Sequence, residues 1–274
     1  MKKLLCLALA VVMVMSFVAC GTTTTNEEGK QTSYDNLAIA CELTSEEYGI
    51  GFRKGSDLVA EVDKIMADLN ADGTLDALAK EYELTLVPDA KANFEGEATV
   101  KDLDYIKANG KMVIGITEYE PMNYKDANGA WTGFDTEFAE AVCEKLGVTA
   151  EFVEIDWDNK FLALESKSID CIWNGMTISK EVLLNTSCSK AYVKNAQVAV
   201  VAKDKAAQYK TAADMKELKF AVEAGSAGAA AAEENGLEFI EANTQTDALL
   251  EVTSGSSDAC IIDLTMANSM LGTK

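Results

Sequence analysis

Residues 46–84 read EEYGIGFRKGSDLVAEVDKIMADLNADGTLDALAKEYEL, and this stretch decides how the chain is organised. Its apolar residues recur at the spacing of helical faces, in two stripes: Val62, Ile65, Met66 and Leu69, followed by Leu75, Leu78 and Ala79. These helices have no strand neighbours of their own, so their apolar faces need a sheet that forms later in the chain. The stretch therefore predicts an early segment that packs into a body built by later residues.

From residue 103 onward, strand-like and helix-like patterns alternate. KMVIGI at 111–116 is a continuous apolar run, KDANG at 125–129 is a hairpin-type turn, and residues 135–146 carry apolar side chains at helical spacing. The same alternation continues to the end of the chain, with further strand patterns at 150–155, 170–175, 197–202, 218–224, 237–242 and 258–263. Strands that alternate with helices indicate βαβ units, and hence an α/β fold with mainly parallel sheets.

The order of these segments is informative. Residues 46–84 resemble the C-terminal end of the amino-acid-type (family 3) periplasmic solute-binding proteins of ABC importers, whereas LDYIKANGKMVIGITEYEPMNYKDANGAWTGF at 103–134 resembles their beginning. Residues 258–274, DACIIDLTMANSMLGTK, come where the family continues into its YGIGFRKG segment. The resemblance implies the two-lobe type II periplasmic-binding-protein fold in a circularly permuted form.

The resemblance also implies domain boundaries. They are 46–88 and 103–191 for lobe 1, 34–43 and 197–274 for lobe 2, 44–48 and 192–196 for the hinge, and 89–102 for the permutation linker. The region of the linker is polar and contains a proline, as expected for a surface connection between two old chain ends.

The first residues indicate an extracytoplasmic location. Lys2 and Lys3 precede an apolar run that is too short for a stable membrane span, so residues 1–19 are predicted to be a secretory signal peptide. Ala19-Cys20 resembles a bacterial lipoprotein cleavage site, and residues 20–33 suit a solvated tether. Lipidation of Cys20 would anchor the protein to the cell membrane. A plain secretory signal with an incidental Cys20 is the alternative.

Composition excludes several classes of function. The formal charge of −21 argues against nucleic acid and anionic membrane as partners. The chain has no histidine, so the usual imidazole ligands for zinc are missing, and neither a metal nor a cofactor is predicted. Beyond Cys20, five cysteines form no close C-x-x-C pair: Cys41, Cys143, Cys171, Cys188 and Cys260. We expect mostly buried thiols.

The resemblance implies a ligand cleft between the lobes. Eight residues match its lining, and Glu118 adds an acidic group beside them: Tyr119, Trp157, Asn174, Gly175, Thr177, Ser226, Ala227 and Asp263. Tyr119 and Trp157 match aromatic walls, and Asp263 matches the carboxylate that pairs with a ligand ammonium. Each has a structural alternative, because Tyr119 and Trp157 also suit a core, and Ser226 and Asp263 also suit helix N-caps.

One residue departs from the family. Val182 stands where the family has an arginine that grips the ligand carboxylate, and no other residue reproduces that bidentate contact. Three explanations stay open. Lys180, Ser179 and helix-end amides hold the carboxylate; the ligand is a cationic amine attracted by acidic groups, among them Glu223; or binding has been lost.

Three functions follow from these observations. The first is a monomeric transport receptor that binds a small polar solute, an amino acid or related amine, and docks on an ABC permease in the membrane. The second is a ligand-sensing or protein-binding surface lipoprotein of the same fold. The third, a dehydratase-like enzyme, is disfavoured because the cleft offers few groups for acid–base catalysis.

Overall fold

Two β-sheets receive most of the strands of this chain in the computed structural model, which describes residues 34–271. The strands of this part are β1 (Leu37–Glu42), β2 (Glu46–Phe52), β3 (Lys111–Ile116), β4 (Tyr124–Lys125), β5 (Trp131–Thr132), β6 (Thr149–Glu154), β7 (Cys171–Thr177), β8 (Ser187–Cys188), β9 (Val193–Asn195), β10 (Gln197–Ala202), β11 (Lys219–Glu223), β12 (Glu238–Ala242) and β13 (Ala259–Asp263).

Helices flank both sheets. They are α1 (Leu58–Ala71), α2 (Thr74–Glu81), α3 (Asp102–Asn109), α4 (Phe134–Leu146), α5 (Lys160–Glu165), α6 (Lys180–Asn185), α7 (Ala227–Asn235), α8 (Gln245–Ser254) and α9 (Leu264–Met270). Every helix and strand expected after residue 110 is present, with ends within a few residues of the prediction. The periodicity of the sequence therefore predicted these elements correctly.

The two sheets draw on separate parts of the chain. A six-stranded sheet has the order β6-β3-β7-β2-β8, with β9 paired to β2, and a five-stranded sheet has the order β1-β10-β13-β11-β12. All strands of the first sheet lie within residues 46–195, and the second sheet combines residues 37–42 with residues 197–263. The predicted crossing segments lie side by side, because Glu46 pairs with Asn195 and Tyr48 with Val193. The division into two lobes and a hinge stays a prediction.

The sheets are mixed, not mainly parallel as predicted. Strand β3 runs parallel to β6 and β7, and β11 runs parallel to β12 and β13, as βαβ units require. Strands β2 and β10 instead run antiparallel to their neighbours β7 and β13. They continue from the two adjacent crossing segments and not from a crossover helix, which explains the opposite direction.

The early stretch packs into the later body, as its two apolar stripes predict. Helix α1 contacts α4, and Val62 and Leu69 share one apolar cluster with Phe138. The sequence reading missed one feature, since β2 directly precedes α1 and lies between β7 and β8 in the sheet. The helices thus do have a strand of their own, contributed by the same segment.

The described cysteines are free thiols, as expected: Cys41 is half-buried, and Cys143, Cys171, Cys188 and Cys260 are buried. Within residues 34–271, no helix has the length and apolar character needed to cross a membrane. The predicted signal peptide, the tether and Cys20 lie outside the described residues.

Candidate ligand cavity

A cavity of about 190 Å³ lies where the carboxyl ends of β7, β11 and β13 meet. Its walls come from both sheets, since Asn174 belongs to the six-stranded sheet and Glu223 and Asp263 to the five-stranded sheet. Parallel strands place the groups at their carboxyl ends along one sheet edge, which is where α/β proteins commonly bind ligands. Enclosure by two sheets makes this the candidate binding site.

Eight of the nine residues predicted from the sequence line this cavity: Tyr119, Trp157, Asn174, Gly175, Thr177, Ser226, Ala227 and Asp263. Glu118 does not line it, and its side chain is exposed although Tyr119 beside it is buried. Backbone alternation after β3 explains this split, because successive side chains point to opposite sides of an extended segment.

The two aromatic residues form different contacts. The hydroxyl of Tyr119 lies 2.5 Å from the hydroxyls of both Tyr48 and Thr265, so this ring is fixed at its polar end. A Cβ on Gly175, which has a φ of 55°, would lie 2.6 Å from the Tyr119 ring, so only glycine fits there. Trp157 is buried at the start of a 3-10 helix, Trp157–Asn159, that leads into α5.

Asp263 is the centre of a hydrogen-bond network. Its Oδ1 accepts bonds from Tyr48 (2.7 Å), Gln197 (2.9 Å) and Asn195, and its Oδ2 accepts a bond from Gln245 (2.5 Å). Burial raises the pKa of Asp263, and the charge of nearby Glu46 raises it further. The network joins residues of both sheets. Asp263 also precedes α9, but its side chain makes no capping bond.

The side chains of Glu46 and Asn174 also form hydrogen bonds with other groups of the protein. Glu46 Oε1 accepts bonds from Thr177 (2.8 Å), Asn195 (2.7 Å) and Gln197 (2.8 Å), and its Oε2 accepts one from Thr44 (3.2 Å). The Asn174 amide bonds with the backbone and side chain of Thr117 and with Asn123. These groups shape the wall, and their hydrogen-bonding capacity is largely used.

Lys160 is the only cationic side chain lining the cavity among the described residues. It is 4% exposed, and its Nζ donates to the carbonyl oxygens of Gly225 (2.8 Å) and Trp157 (3.2 Å). Nζ also lies 5.0 Å from the centroid of the Trp157 ring. Burial lowers the pKa of Lys160, and nearby acidic groups, Glu181 first, oppose this effect. An ammonium has three N–H donors, so one donor is left for a ligand.

Glu223, the last residue of β11, contrasts with Asp263 in its hydrogen bonding. It is 3% exposed, and its Oε1 has no hydrogen-bond partner among the described residues. Burial raises the pKa of Glu223 to about 8. The sequence predicted Glu223 only as an acidic group near the cleft. It gave no signal for Lys160, because Lys160 reaches the cavity wall where the β11–α7 turn comes close to it in space.

The turn between β11 and α7 lies close to the 3-10 helix Trp157–Asn159. Gly225 has a φ of 64°, and a Cβ there would lie 2.7 Å from Asp158 Oδ1, so glycine permits the close approach. Ser226 accepts a hydrogen bond from Ala229 N at 3.1 Å and thereby caps α7, which was the structural alternative for this residue. Ser226 also lines the cavity.

Val182, which stands where the family has an arginine, lies in the cavity wall. Val182 lines the cavity and packs in an apolar cluster with Trp157 and Met176. Lys180, one candidate for holding a ligand carboxylate, is exposed and does not line it. Ser179 lines it but caps α6 by accepting a bond from Val182 N. Lys160 is thus better placed than Lys180.

A larger cleft of about 770 Å³ lies elsewhere, beside α2 and α9. Glu81, Glu120, Asp126 and Glu137 are among its lining residues. Glu120 accepts a hydrogen bond from Ser269, and Glu137 accepts one from Tyr82, so these two carboxylates already have partners. The smaller cavity, with its buried and unpartnered carboxylate oxygen, is the stronger candidate.

Much of the chain after residue 111 is similar to known proteins. Residues 112–265, more than half of the chain, match the model of the bacterial extracellular solute-binding proteins, family 3. The L-cystine-binding protein of Escherichia coli K12 is 34% identical over 125 residues, which cover 45% of this chain and 47% of that protein. The L-arginine-binding protein of Pseudomonas aeruginosa is 30% identical over 170 residues, covering 60% and 65%.

A solved structure supports the fold. The crystal structure of the ancestral amino acid-binding protein AncCDT-1, described as a precursor of cyclohexadienyl dehydratase, has a TM-score of 0.57 and 34% identity over 60% of this chain and 74% of that one. This structural similarity confirms the predicted α/β fold class. The chain spans about half to two thirds of the length of the curated relatives named above. From the extent of the family match, this protein belongs to the bacterial extracellular solute-binding proteins of family 3.

Proposed function

We propose that the protein is an extracytoplasmic receptor that binds a small polar solute, an amino acid or a related amine, for ABC-type import. The observation that carries this proposal is the convergence of eight predicted residues, from both sheets, on one cavity. Lys160 and Glu223 supply a cation and a carboxylate with unused hydrogen-bonding capacity there. A solute with polar groups of both signs fits such a wall.

The size of the cavity favours a small solute. An engineered 150 Å³ cavity holds benzene, so 190 Å³ provides room for about eight ligand atoms within its walls. Exposed Glu181 and Glu234 also line it, which indicates that one side opens to solvent. A longer solute would extend towards these residues.

The proposal is tested by thermal denaturation with the common L-amino acids and their decarboxylated amines. A ligand at about 100 times its Kd stabilises the folded state by roughly 2.7 kcal/mol, so a true ligand raises the Tm measurably. Trp157→Ala, which removes a cavity wall, should abolish the rise. Trp131→Ala is the matched control, because Trp131 lies outside the cavity. If no compound raises the Tm, or if both variants respond equally, the proposed site is wrong.

We further propose that residues 1–19 are removed and that a lipid on Cys20 anchors the protein, as a monomer, to the outer face of the cell membrane. The basic start, the apolar run and the Ala19-Cys20 junction support this. An ABC permease would then be the partner of the closed, loaded protein. Cys20→Ser should release the protein from membranes, which fractionation and immunoblotting would measure.

Circular permutation is also a proposal. The family match begins at residue 112, so the segment containing β1, β2, α1 and α2 lies outside it. That segment nevertheless supplies one strand to each sheet. Both facts are expected if the segment corresponds to the end of an ordinary family member.

A further inference from the structure

We infer that Glu223 binds a cationic group of the ligand and makes the protein select solutes that carry a net positive charge. This inference rests on the proposed function, because it assigns a specificity-determining residue within the same cavity. The expected ligand is an amino acid or amine that carries a guanidinium or ammonium group in addition to the α-ammonium group common to all amino acids.

The other inward carboxylates are not available for this role. Asp263 accepts four hydrogen bonds from protein donors, and Glu46 also accepts four, with the amides of Asn195 and Gln197 shared between the two carboxylates. A carboxylate offers about four acceptor positions, so most of the hydrogen-bonding capacity of both is used. Asp263, which the family resemblance assigns to a ligand ammonium, joins the two sheets through Tyr48, Asn195 and Gln197.

Glu223 has what the others lack, which is a buried carboxylate oxygen without a donor. Its side chain is 3% exposed and lines the cavity, and its Oε1 is unpartnered within residues 34–271. A buried acceptor without a partner is unfavourable, and more so when it is charged. A ligand cation in the cavity supplies a hydrogen-bond donor for Oε1, and its positive charge stabilises the ionised form of the Glu223 carboxylate.

Charged and polar groups on neighbouring elements change the pKa of Glu223. Asp263 on β13 and Asp247 on α8 raise its pKa, whereas Lys160 on α5 and Gln245 on α8 lower it, and burial has the largest effect. The pKa of about 8 means that the carboxyl is mostly protonated at pH 7 in the absence of ligand. A bound cation favours the ionised form, so binding should release a proton.

The charge of the whole cavity points the same way. Five acidic side chains line it, against the single Lys160, so acidic groups outnumber the cation even while Glu223 is protonated: Glu46, Glu181, Glu223, Glu234 and Asp263. A zwitterion with no net charge leaves this excess unchanged, whereas a ligand with an additional cationic group reduces it. Electrostatic complementarity of this kind selects among partners of similar shape.

Calorimetric titration with two isosteric pairs tests the inference. L-Arginine and L-citrulline differ in a guanidinium and a neutral ureido group, and L-ornithine and L-norleucine differ in an ammonium and a methyl group. We expect the parent protein to bind the cationic member of at least one pair more than tenfold more tightly. Glu223→Gln keeps the size of the side chain and should reduce that preference by about ten- to a hundredfold.

Glu233→Gln is the matched control, since Glu233 lies on helix α7, is exposed and does not line the cavity. We expect this variant to keep the preference within about twofold, because exposed charges are screened by solvent. Thermal melting of both variants checks their folding. Titration of the cationic ligand at pH 6.5 in two buffers of different ionisation enthalpy should show release of about one proton by the parent and less by Glu223→Gln.

The possible outcomes separate the two claims. A parent protein that binds amino acids but neither arginine nor ornithine, or that prefers the neutral members, overturns this inference and leaves the proposed function intact. Equal loss of affinity for both members of a pair in Glu223→Gln also overturns it, because Glu223 would then contact a group common to both. If no amino acid or amine binds at all, the proposed function fails first.

Discussion

Lys160 is the residue that can take over the task of the family's missing arginine. It comes three residues after Trp157, and its Nζ lies within the cavity wall with two carbonyl partners. It forms no ion pair with any residue in the described part of the chain. A buried ammonium without a carboxylate partner favours binding of an anionic group. We therefore expect Lys160 to hold the ligand carboxylate.

Replacement of Lys160 by methionine tests this role. Arginine and agmatine share a guanidinium and differ in the carboxylate, so the parent should prefer arginine. Lys160→Met should reduce that preference by about ten- to a hundredfold, the value of a charge-assisted hydrogen bond. Calorimetric titration of both compounds provides the measurement.

Lys180→Met is the control for Lys160→Met, because Lys180 is exposed and lies outside the cavity lining. It should leave the preference for arginine unchanged. The reverse result, with an effect at Lys180 and none at Lys160, would show that the carboxylate lies near the start of α6. Equal binding of arginine and agmatine by the parent would mean that no residue of the cavity recognises the carboxylate.

At the scale of elements, Arg53 ties the early segment to the rest of the six-stranded sheet. It follows β2, and its guanidinium forms ion pairs of 2.9 Å with Asp102, the first residue of α3, and with Asp170, which precedes β7. It also donates to the carbonyl oxygens of Leu164 and Ile169. All three charged side chains are buried, so they depend on one another.

Arg53→Met should destabilise the protein by about 3–5 kcal/mol, because it leaves two buried carboxylates without their partner. Arg53→Lys should restore only part of this, since an ammonium cannot reproduce the several directed bonds of a guanidinium. Urea unfolding measures both. Lys64→Met, at an exposed position of α1, is the control and should change the free energy of unfolding by less than about 0.5 kcal/mol. A similarly small change in Arg53→Met would contradict this account.

At the scale of the whole molecule, buried carboxyls make stability depend on pH. Burial raises the pKa of Glu223 to about 8 and of Asp135 to about 7, and it raises the pKa of Asp263 as well. Their ordinary values are near 4, so between pH 4 and 8 the folded state binds more protons than the unfolded state. The free energy of unfolding therefore falls as pH rises through this range.

We expect the ligand-free protein to be more stable at pH 5.5 than at pH 8.0 in urea unfolding. Each group contributes at most about 1.4 kcal/mol per pH unit. Glu223→Gln removes one of these groups and should make the dependence shallower. Equal or greater stability at pH 8.0 in the parent would show that these carboxyls are ionised in the folded state.

The proposed permutation predicts that the chain tolerates a return to the family order. Tyr34 and Leu271, near the two ends of the described chain, belong to the same apolar cluster. The linker around residues 89–96 is mostly exposed, whereas Thr99 and Val100 bond to the Gly55 carbonyl. A chain that begins at Glu97, joins Lys274 to Ser33 and ends at Pro88 keeps these bonds.

This rearranged chain should unfold cooperatively and bind the ligand of the parent within about threefold, because surface linkers are the sites where such changes are tolerated. Circular dichroism and calorimetric titration are the measurements. A control that is opened within β3 should not fold, since β3 pairs with both β6 and β7. Failure of the first chain to fold would argue against the permutation.

Local patterns in the sequence were sufficient to predict most elements and to name eight residues that line the cavity. Continuous apolar runs marked β3 and β13, helical spacing marked α1 and α4, and motif resemblance led to eight of the lining residues. These features depend on residues that are close in the chain or on short motifs. They are therefore visible without knowledge of the tertiary structure.

Only the tertiary structure decided which charged groups remain available to a ligand. The donors to Asp263 lie in three separate parts of the chain, at Tyr48, at Asn195 and Gln197, and at Gln245, whereas no donor reaches Glu223 Oε1 among the described residues. Whether a carboxylate is satisfied is a property of three-dimensional packing, because its partners are brought together by folding and not by sequence proximity.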